Sequence, residues 1–265
     1  MPIPVSPTAQ TKHVAEPNHA YVADFAIARD RAGGAVLDFG CGAGEVVDAA
    51  RRAGLRVFGA DVFNRRNESM LRIVEKGIGG SVCVIEDQRI PFRDGTFELV
   101  VSNQVFEHVY ELDSVLAEIR RVLRPGGLLL ALFPSDEVWR EGHCGVPFIH
   151  WFDRNSRLRL PYMLIARSIG LGAKKDARSF RQWALDFLDY IDGYTVYRRS
   201  EVIEAAFARH METVVHIETA YCQYRLRRLG WNAAARMAGT PVMNPVTKWL
   251  CRKLASMVIV ARRAA

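Results

Sequence analysis

Residues 36–45 read Val-Leu-Asp-Phe-Gly-Cys-Gly-Ala-Gly-Glu, an apolar run that stops in three glycines placed at every second position. A strand entering a tight turn has this form. Gly40, Gly42 and Gly44 remove the β-carbon where the backbone must bend and where a ligand can reach its N–H groups. A helix opening at Glu45 turns its positive end toward the same space, so an anionic group is expected there. Asp38 adds an acceptor beside the turn, which suits a ligand carrying both a carboxylate and an ammonium better than a pyrophosphate. The dinucleotide fingerprint G-x-G-x-x-G would need its third glycine at position 45, where Glu45 would repel a pyrophosphate.

Outward from this turn, strand-like and helix-like segments alternate. Val36–Phe39 is the first strand, followed by a helix over Glu45–Ala53 that Gly54 stops. Arg56–Ala60 is a second strand ending at Asp61. Met70, Leu71, Ile73 and Val74 mark the next helix, before strands at Val82–Ile85 and Phe97–Ser102. Leu112, Val115, Leu116, Ile119, Val122 and Leu123 share one helical face, and Arg-Pro-Gly-Gly at 124–127 is expected to break that helix ahead of strand Leu128–Phe133. This alternation implies an α/β fold with a mainly parallel sheet covered on both faces. Residues 1–12, with three prolines, read as a loose arm, and residues 13–30 as a helix. Ser200 is a candidate N-cap for a helix over Glu201–His210. Val214–Thr219 and Ser256–Val260 read as a closing antiparallel pair.

The 265 residues, 49% of them apolar, can fill a sizeable core. The longest apolar run is strand-sized and no charged leader precedes an apolar stretch, so a cytoplasmic protein is expected. Five cysteines without a Cys-x-x-Cys pair suit reduced thiols better than a disulfide framework or a zinc site. The net charge of +7 is local: residues 221–254 hold Arg225, Arg227, Arg228, Arg236, Lys248, Arg252 and Lys253 and no acid. Such a patch points to an anionic partner: a phosphorylated or carboxylated substrate, a membrane surface or nucleic acid.

The spacing Asp-x-Gly-x-Gly-x-Gly resembles that of the class I S-adenosylmethionine (SAM) dependent methyltransferases, and the resemblance runs to about residue 134. It implies a Rossmann-like seven-stranded sheet with an α-helical cap. SAM is then the cofactor, with Asp38, Gly40, Cys41, Gly42 and Gly44 around the turn and Asp61, with Val62 beside it, at the ribose. Asp61 follows Gly40 by 21 positions, the separation at which α/β nucleotide folds place an acid for ribose hydroxyls. Residues 85–103 are similar to the family's D-x-x-x-L-P-F-x-D-x-S-F-D-x-V segment, whose acid meets the adenine amino group. Counting back from Pro91 selects Glu86, whereas the chemically commoner residue is Asp87. Ser102 and Asn103 fall where the family keeps oxygens near the transferring methyl. The helix over 13–30 either lies over the cofactor as a lid, as N-terminal helices do in that family, or packs on the sheet edge.

The sequence Ser-Asn-Gln-Val at 102–105 is not the Asn-Pro-Pro-aromatic motif of amino methyltransferases, which disfavours a nucleobase acceptor. A hydroxyl acceptor needs a base, and histidine suits that task. Phe-Glu-His-Val places His108 in a segment resembling the E-H-V of ubiquinone- and menaquinone-type small-molecule methyltransferases; a structural histidine at a helix start is the alternative. His143 and His150 follow the fifth strand, at the end of the sheet where acceptor loops are found. A metal site from His143, Cys144 and His150 lacks a fourth ligand, and no metal is expected. Phe180, Trp183, Phe187 and Tyr190, with Tyr194 and Tyr197 beyond, line an acceptor pocket or form ordinary core. The basic stretch also holds Tyr221, Tyr224, Trp231 and Trp249, a mixture that suits lipid headgroups, a phosphate-bearing acceptor or a plain solvated face.

Three regions are expected: a SAM-binding core over 1–134, an acceptor-binding cap over 135–198, and a C-terminal part of the core over 199–265 with the helical insertion 221–254. The expected function is SAM-dependent methyl transfer to a hydroxyl oxygen of a small-molecule or glycan-like acceptor, such as a nucleotide-linked or lipid-linked sugar. The alternatives are methylation of RNA or protein through the basic stretch, and a catalytically silent SAM-binding subunit. The oligomeric state is left open.

Overall fold

The computed structural model describes residues 5–29, 33–63, 66–174 and 176–265. Seven strands form one sheet in the order β3-β2-β1-β4-β5-β7-β6: β1 Val36–Phe39, β2 Val57–Asp61, β3 Val82–Val84, β4 Phe97–Asn103, β5 Leu123–Phe133, β6 Thr213–His216 and β7 Met257–Arg262. Only β7 runs against its neighbours, pairing antiparallel with both β5 and β6. β1 pairs in parallel with β2 on one side and β4 on the other. The strand order therefore reverses between β1 and β4, and open α/β sheets bind their ligands in the crevice at the carboxyl ends of such a pair.

All four residues of β1 are buried, as a central strand covered on both faces requires. One face of the sheet is covered by α1 (Pro17–Arg29), α2 (Glu45–Arg52) and α8 (Glu218–Arg228). The other is covered by α4 (Leu112–Val122) and α7 (Ser200–His210). Val46, Val47, Ala49 and Ala50 of α2 are the buried face that their spacing predicts. In α3 (Arg66–Glu75), Ile73 alone of the four marker residues is buried, while Met70, Leu71 and Val74 are exposed. A third, smaller core is built within 144–191 by α5 (Arg159–Ser168) and α6 (Phe180–Tyr194), around Trp183 and Met163. Two further helices, α9 (Asn232–Ala238) and α10 (Asn244–Leu254), complete the chain between α8 and β7.

Several expectations change. The arm is not loose over its described part. Val5 and Thr11 are buried, and the buried Asp24 carboxylate of α1 accepts from the Thr8 N–H (3.2 Å), the Thr8 hydroxyl (2.5 Å) and the Thr11 hydroxyl (2.8 Å). The Tyr224 hydroxyl of α8 donates to the same carboxylate at 2.7 Å. Buried carboxyl oxygens hold the arm because they need those donors; residues 1–4 lie outside the described residues. Within its described length α1 packs on the sheet face beside α2 rather than on an edge, with the Tyr21 ring edge-on to Tyr221 and Tyr224. Residues 124–127 do not precede the strand but lie inside β5, where a bulge against β4 and a positive φ at Gly126 absorb the irregularity. Ser200 is the first residue of α7, not its cap, and its hydroxyl donates to Glu137. β6 stops at His216 because Glu218 already opens α8, whereas β7 extends to Arg262.

Replacing Asp24 with alanine strands these hydroxyl and amide donors in a dry interior. We expect a loss of roughly 3 kcal/mol in unfolding free energy and faster proteolysis between residues 5 and 14, measured by denaturant titration and limited digestion. An arm as protected as in the native chain would contradict this packing.

Candidate functional site

Two clusters of polar residues meet at the carboxyl ends of β1 and β4. The first is the glycine turn. Gly40, Gly42 and Gly44 all have positive φ, at 74°, 51° and 73°. Their roles differ. A β-carbon on Gly40 would collide with Val105, and one on Gly44 with Ile78, so these two permit close packing. A β-carbon on Gly42 would meet nothing within 4 Å, so Gly42 faces open space at the N-terminus of α2. Asp61, at the end of β2, accepts from the Gly42 N–H at 2.8 Å and from the Phe63 N–H at 2.7 Å, which brings the acid and the turn together. Val62 beside it is exposed, and Cys41 is buried against Gly59, where burial pushes its thiol well up.

Asp38 is buried within the influence of Asp61; burial first, and the second carboxylate next, push its pKa up to about 8. A buried acid held protonated is a ready partner for an incoming cation. Asn103 ends β4, and its buried Oδ1 has no hydrogen-bond partner. Glu86 and Asp87 are both exposed in the turn after β3, Asp87 at a φ of 48°, and the geometry favours neither over the other. The open space over Gly42, the stranded oxygen of Asn103 and the acids Asp38 and Asp61 together fit an adenosyl amino acid: amide donors for a carboxylate, acids for an ammonium and a diol.

Lys76 escapes any reading of the sequence motif. Its ammonium donates to the Ala43 carbonyl at 2.6 Å and pairs with Glu45 at 3.0 Å, clamping the turn from the end of α3. Glu45 is thereby neutralised, so charge repulsion alone does not exclude a pyrophosphate; the fit rests on Asp38, Asp61 and Asn103 instead.

The second cluster belongs to the segment after β5. Glu141 is fully buried and accepts four hydrogen bonds: from the His143 N–H (2.8 Å), the Cys144 N–H (2.6 Å), the Tyr197 hydroxyl (2.7 Å) and His143 Nδ1 (2.6 Å). Burial opposes its ionisation, but the bonds from His143, Cys144 and Tyr197 prevail and pull its pKa down to about 2. A carboxylate so firmly ionised can only accept, so Nδ1 of His143 donates to it and Nε2 is the ring nitrogen left for another partner. Glu107, also buried, goes the opposite way: burial, reinforced by Glu141, pushes it up to about 8. Of two neighbouring acids, one is held charged and one neutral.

His143 opens onto a cavity of about 350 Å³ that Lys174, Arg178, Asp186, Phe187 and Tyr190 also line. Of the three candidate bases, the structure brings His108 and His143 together, with ring centroids 5.0 Å apart. His108 Nδ1 is bonded to the Tyr194 carbonyl at 2.7 Å, and burial lowers its pKa. His150 stands apart from that cavity. Its ring lies 4.5 Å from the Tyr197 ring, its nitrogens make no well-aligned hydrogen bond, and burial lowers its pKa. The aromatic stripe divides: Trp183 is core, Phe187 and Tyr190 reach the cavity, and Phe180 is exposed. Glu141 was legible only as the carboxylate two positions before a histidine.

The clusters are joined by residues 104–108. Val105 lies on Gly40, the Phe106 ring lies 6.4 Å from Phe39, and His108 reaches His143. Arg198 fastens this segment by donating to the carbonyls of Phe106, Val109 and Tyr110.

Comparison with known proteins agrees with this architecture. Residues 37–131 match the profile of a methyltransferase domain. The chain is 34% identical over 179 residues to a ubiquinone/menaquinone biosynthesis C-methyltransferase of Cupriavidus necator, covering 64% of this chain and 67% of that protein. Its counterpart in Cupriavidus metallidurans is 32% identical over 187 residues, covering 68% of this chain and 70% of that one. Among solved structures, an S-adenosylmethionine dependent methyltransferase from Mesorhizobium loti shares the fold with a TM-score of 0.52 at 15% identity, over 91% of this chain and 98% of that one.

Two outcomes are expected. Gly42→Arg fills the open space without touching the core, so SAM binding measured by calorimetry is lost while the melting temperature falls by no more than a few degrees; Asp61→Ala weakens binding. Because Asp38 is protonated below about 8 and an ammonium favours its ionised form, SAM binding at pH 7 releases a proton. Affinity then rises with pH up to about 8, and the binding heat depends on the buffer's ionisation enthalpy. A heat independent of the buffer would remove Asp38 from this role.

Proposed function

Because the chain belongs to the class I S-adenosylmethionine-dependent methyltransferases, we propose that it methylates a small-molecule acceptor carrying an ionisable hydroxyl, with His143 as the base. The observation that carries this reading is the Glu141–His143 pair, fixed at 2.6 Å and open to the cavity.

The cofactor's contribution is an electrophilic methyl group on a positively charged sulfur. The chain's own residues do the rest. The N–H groups at the start of α2 would hold its carboxylate, since the Gly42 N–H is already given to Asp61, and Asp38 would hold its ammonium. Asp61 receives the ribose hydroxyls, with Val62 beside them, and Glu86 or Asp87 the adenine amino group. Asn103 Oδ1, buried without a partner, would offer the cofactor an acceptor at the end of β4. On the acceptor side, Phe187 and Tyr190 offer apolar walls and Lys174 a cation at the rim, where Arg178 is already paired with Asp176 and Asp186. Nε2 of His143 takes the hydroxyl proton while Glu141 steadies the imidazolium through Nδ1–H. The electron pair left on oxygen would then be free to take the methyl group that a bound cofactor supplies, with the neutral thioether as leaving group.

Transfer to oxygen is the direct outcome. The Cupriavidus relatives are named C-methyltransferases, and their name favours a second outcome through the same base. In a phenol or enol, the ionised oxygen shares its electron pair with a conjugated carbon, which can take the methyl instead. A polyanionic acceptor such as RNA is less well served. Arg225 donates to the Tyr221 hydroxyl, Arg227 and Arg228 to carbonyls of the N-terminal arm, and Arg252 and Lys253 pair with Glu218 and Glu137, so five of the seven basic residues of 221–254 are engaged within the protein.

His143→Ala is expected to lower kcat by a factor of about 100 to 10,000 while leaving SAM affinity unchanged, and Glu141→Gln to lower it by a smaller factor. Product analysis by NMR with labelled methyl distinguishes an O-methyl from a C-methyl group. Full activity of His143→Ala at every pH would refute the base, and a chain that binds SAM but turns over no phenolic, enolic or sugar acceptor would favour a silent subunit.

A further inference from the structure

The helices between β6 and β7 carry a surface that no step above uses. Trp231, Met237, Val242, Val246, Trp249 and Leu250 are all exposed, Trp231 to 61% and Val242 to 82%. On α10 the exposed apolar residues Val246, Trp249 and Leu250 follow the three- and four-residue spacing of one helical face, while Thr247 and Cys251 turn inward. Trp249 also meets Trp139 edge-on at 5.6 Å, which continues the patch toward the segment that carries Glu141. Burial of the tyrosines changes the reading of this stretch: Tyr221 and Tyr224 belong to the core, and the tryptophans alone face outward.

Charge selects the occupant. No aspartate or glutamate occurs between Thr219 and Ala265, whereas Arg236 is exposed on α9 and Lys248 is half-buried on α10. α3 also exposes Met70, Leu71 and Val74, yet Glu68 and Glu75 stand among them. A protein partner would be matched by shape and by charges of both signs. Tryptophan and aliphatic side chains with Arg236 and Lys248 beside them, and no acid on α9 or α10, match the headgroup boundary of an anionic bilayer. None of the described helices is long and apolar enough to cross a membrane, so the surface would lie on the bilayer. We propose that the outer face of α9 and α10 docks on an anionic lipid surface. The proposal is independent of the methyl-transfer chemistry and holds whether or not His143 is the base.

The test is sedimentation of the full chain with vesicles of phosphatidylcholine, with and without about one-third phosphatidylglycerol. The native chain is expected to bind the anionic vesicles, with a blue shift of tryptophan emission, and to bind neutral vesicles at least about tenfold more weakly. The double variant Val246→Asp, Leu250→Asp should lose binding by about tenfold or more, and Arg236→Glu, Lys248→Glu should lose the preference for the anionic lipid. Both replace exposed or half-buried side chains, and unchanged circular dichroism and SAM binding verify the fold. Absence of binding to either vesicle, binding indifferent to both double variants, or a dimer in solution that Val246→Asp, Leu250→Asp dissociates would each overturn the proposal.

Discussion

The sharp turn at the end of β4 is the constraint on which the site depends. Gln104 sits at a φ of 57°, in the left-handed region that residues other than glycine seldom adopt. Its N–H donates to the Leu132 carbonyl at 2.7 Å, and its side chain to Ser256 at 3.2 Å, so neighbouring β5 and the residue preceding β7 hold the bend. Such conformations cost on the order of 1–3 kcal/mol and persist where the surroundings over-determine them. Here the bend sends Val105 onto Gly40, Phe106 toward Phe39 and His108 toward His143. The glycine turn and His143 are thus linked through five residues.

Electrostatics divides labour at both ends of this segment. At the turn, burial and the nearby Asp61 push Asp38 toward its neutral form, while Asp61 accepts one amide donor on each oxygen. At the other end, Glu107 goes neutral and Glu141 charged, because the latter gathers four donors and the former leaves its Oε2 without one. Burial alone would raise both acids; hydrogen bonding decides which of them ionises. Fold alone would not assign this function, since the same sheet supports many chemistries. The assignment of the family rests on sequence identity over about two thirds of the chain, and that of the roles on these pairs of acids.

The sequence made the first half legible for a physical reason. A parallel sheet writes continuous apolar strands, and a phosphate- or carboxylate-binding turn demands glycines at fixed spacing, so β1 to β5 and Asp61 could be placed from residues alone. The second half obeys no such local rule. That Glu141 is buried depends on Tyr197, 56 positions later, and that Asp24 anchors the arm depends on Tyr224, 200 positions later. Long-range hydrogen bonds leave no periodicity. Prolines made residues 5–12 look unstructured, yet a buried carboxylate outweighed them. Tyr221 and Tyr224 resembled surface aromatics because arginines surround them in the chain, and only packing against Tyr21 shows that they face inward.

The glycine turn and the segment after β5 are proposed to form one reaction site. The most direct measurement is a crystal structure of the chain with S-adenosylhomocysteine. The amino-acid end is expected to lie over Gly42, the ribose on Asp61, and the sulfur to open toward the cavity that His143 lines. A sulfur walled off from that cavity by Phe106 or Val105, or a ligand bound anywhere but on the glycine turn, would contradict it.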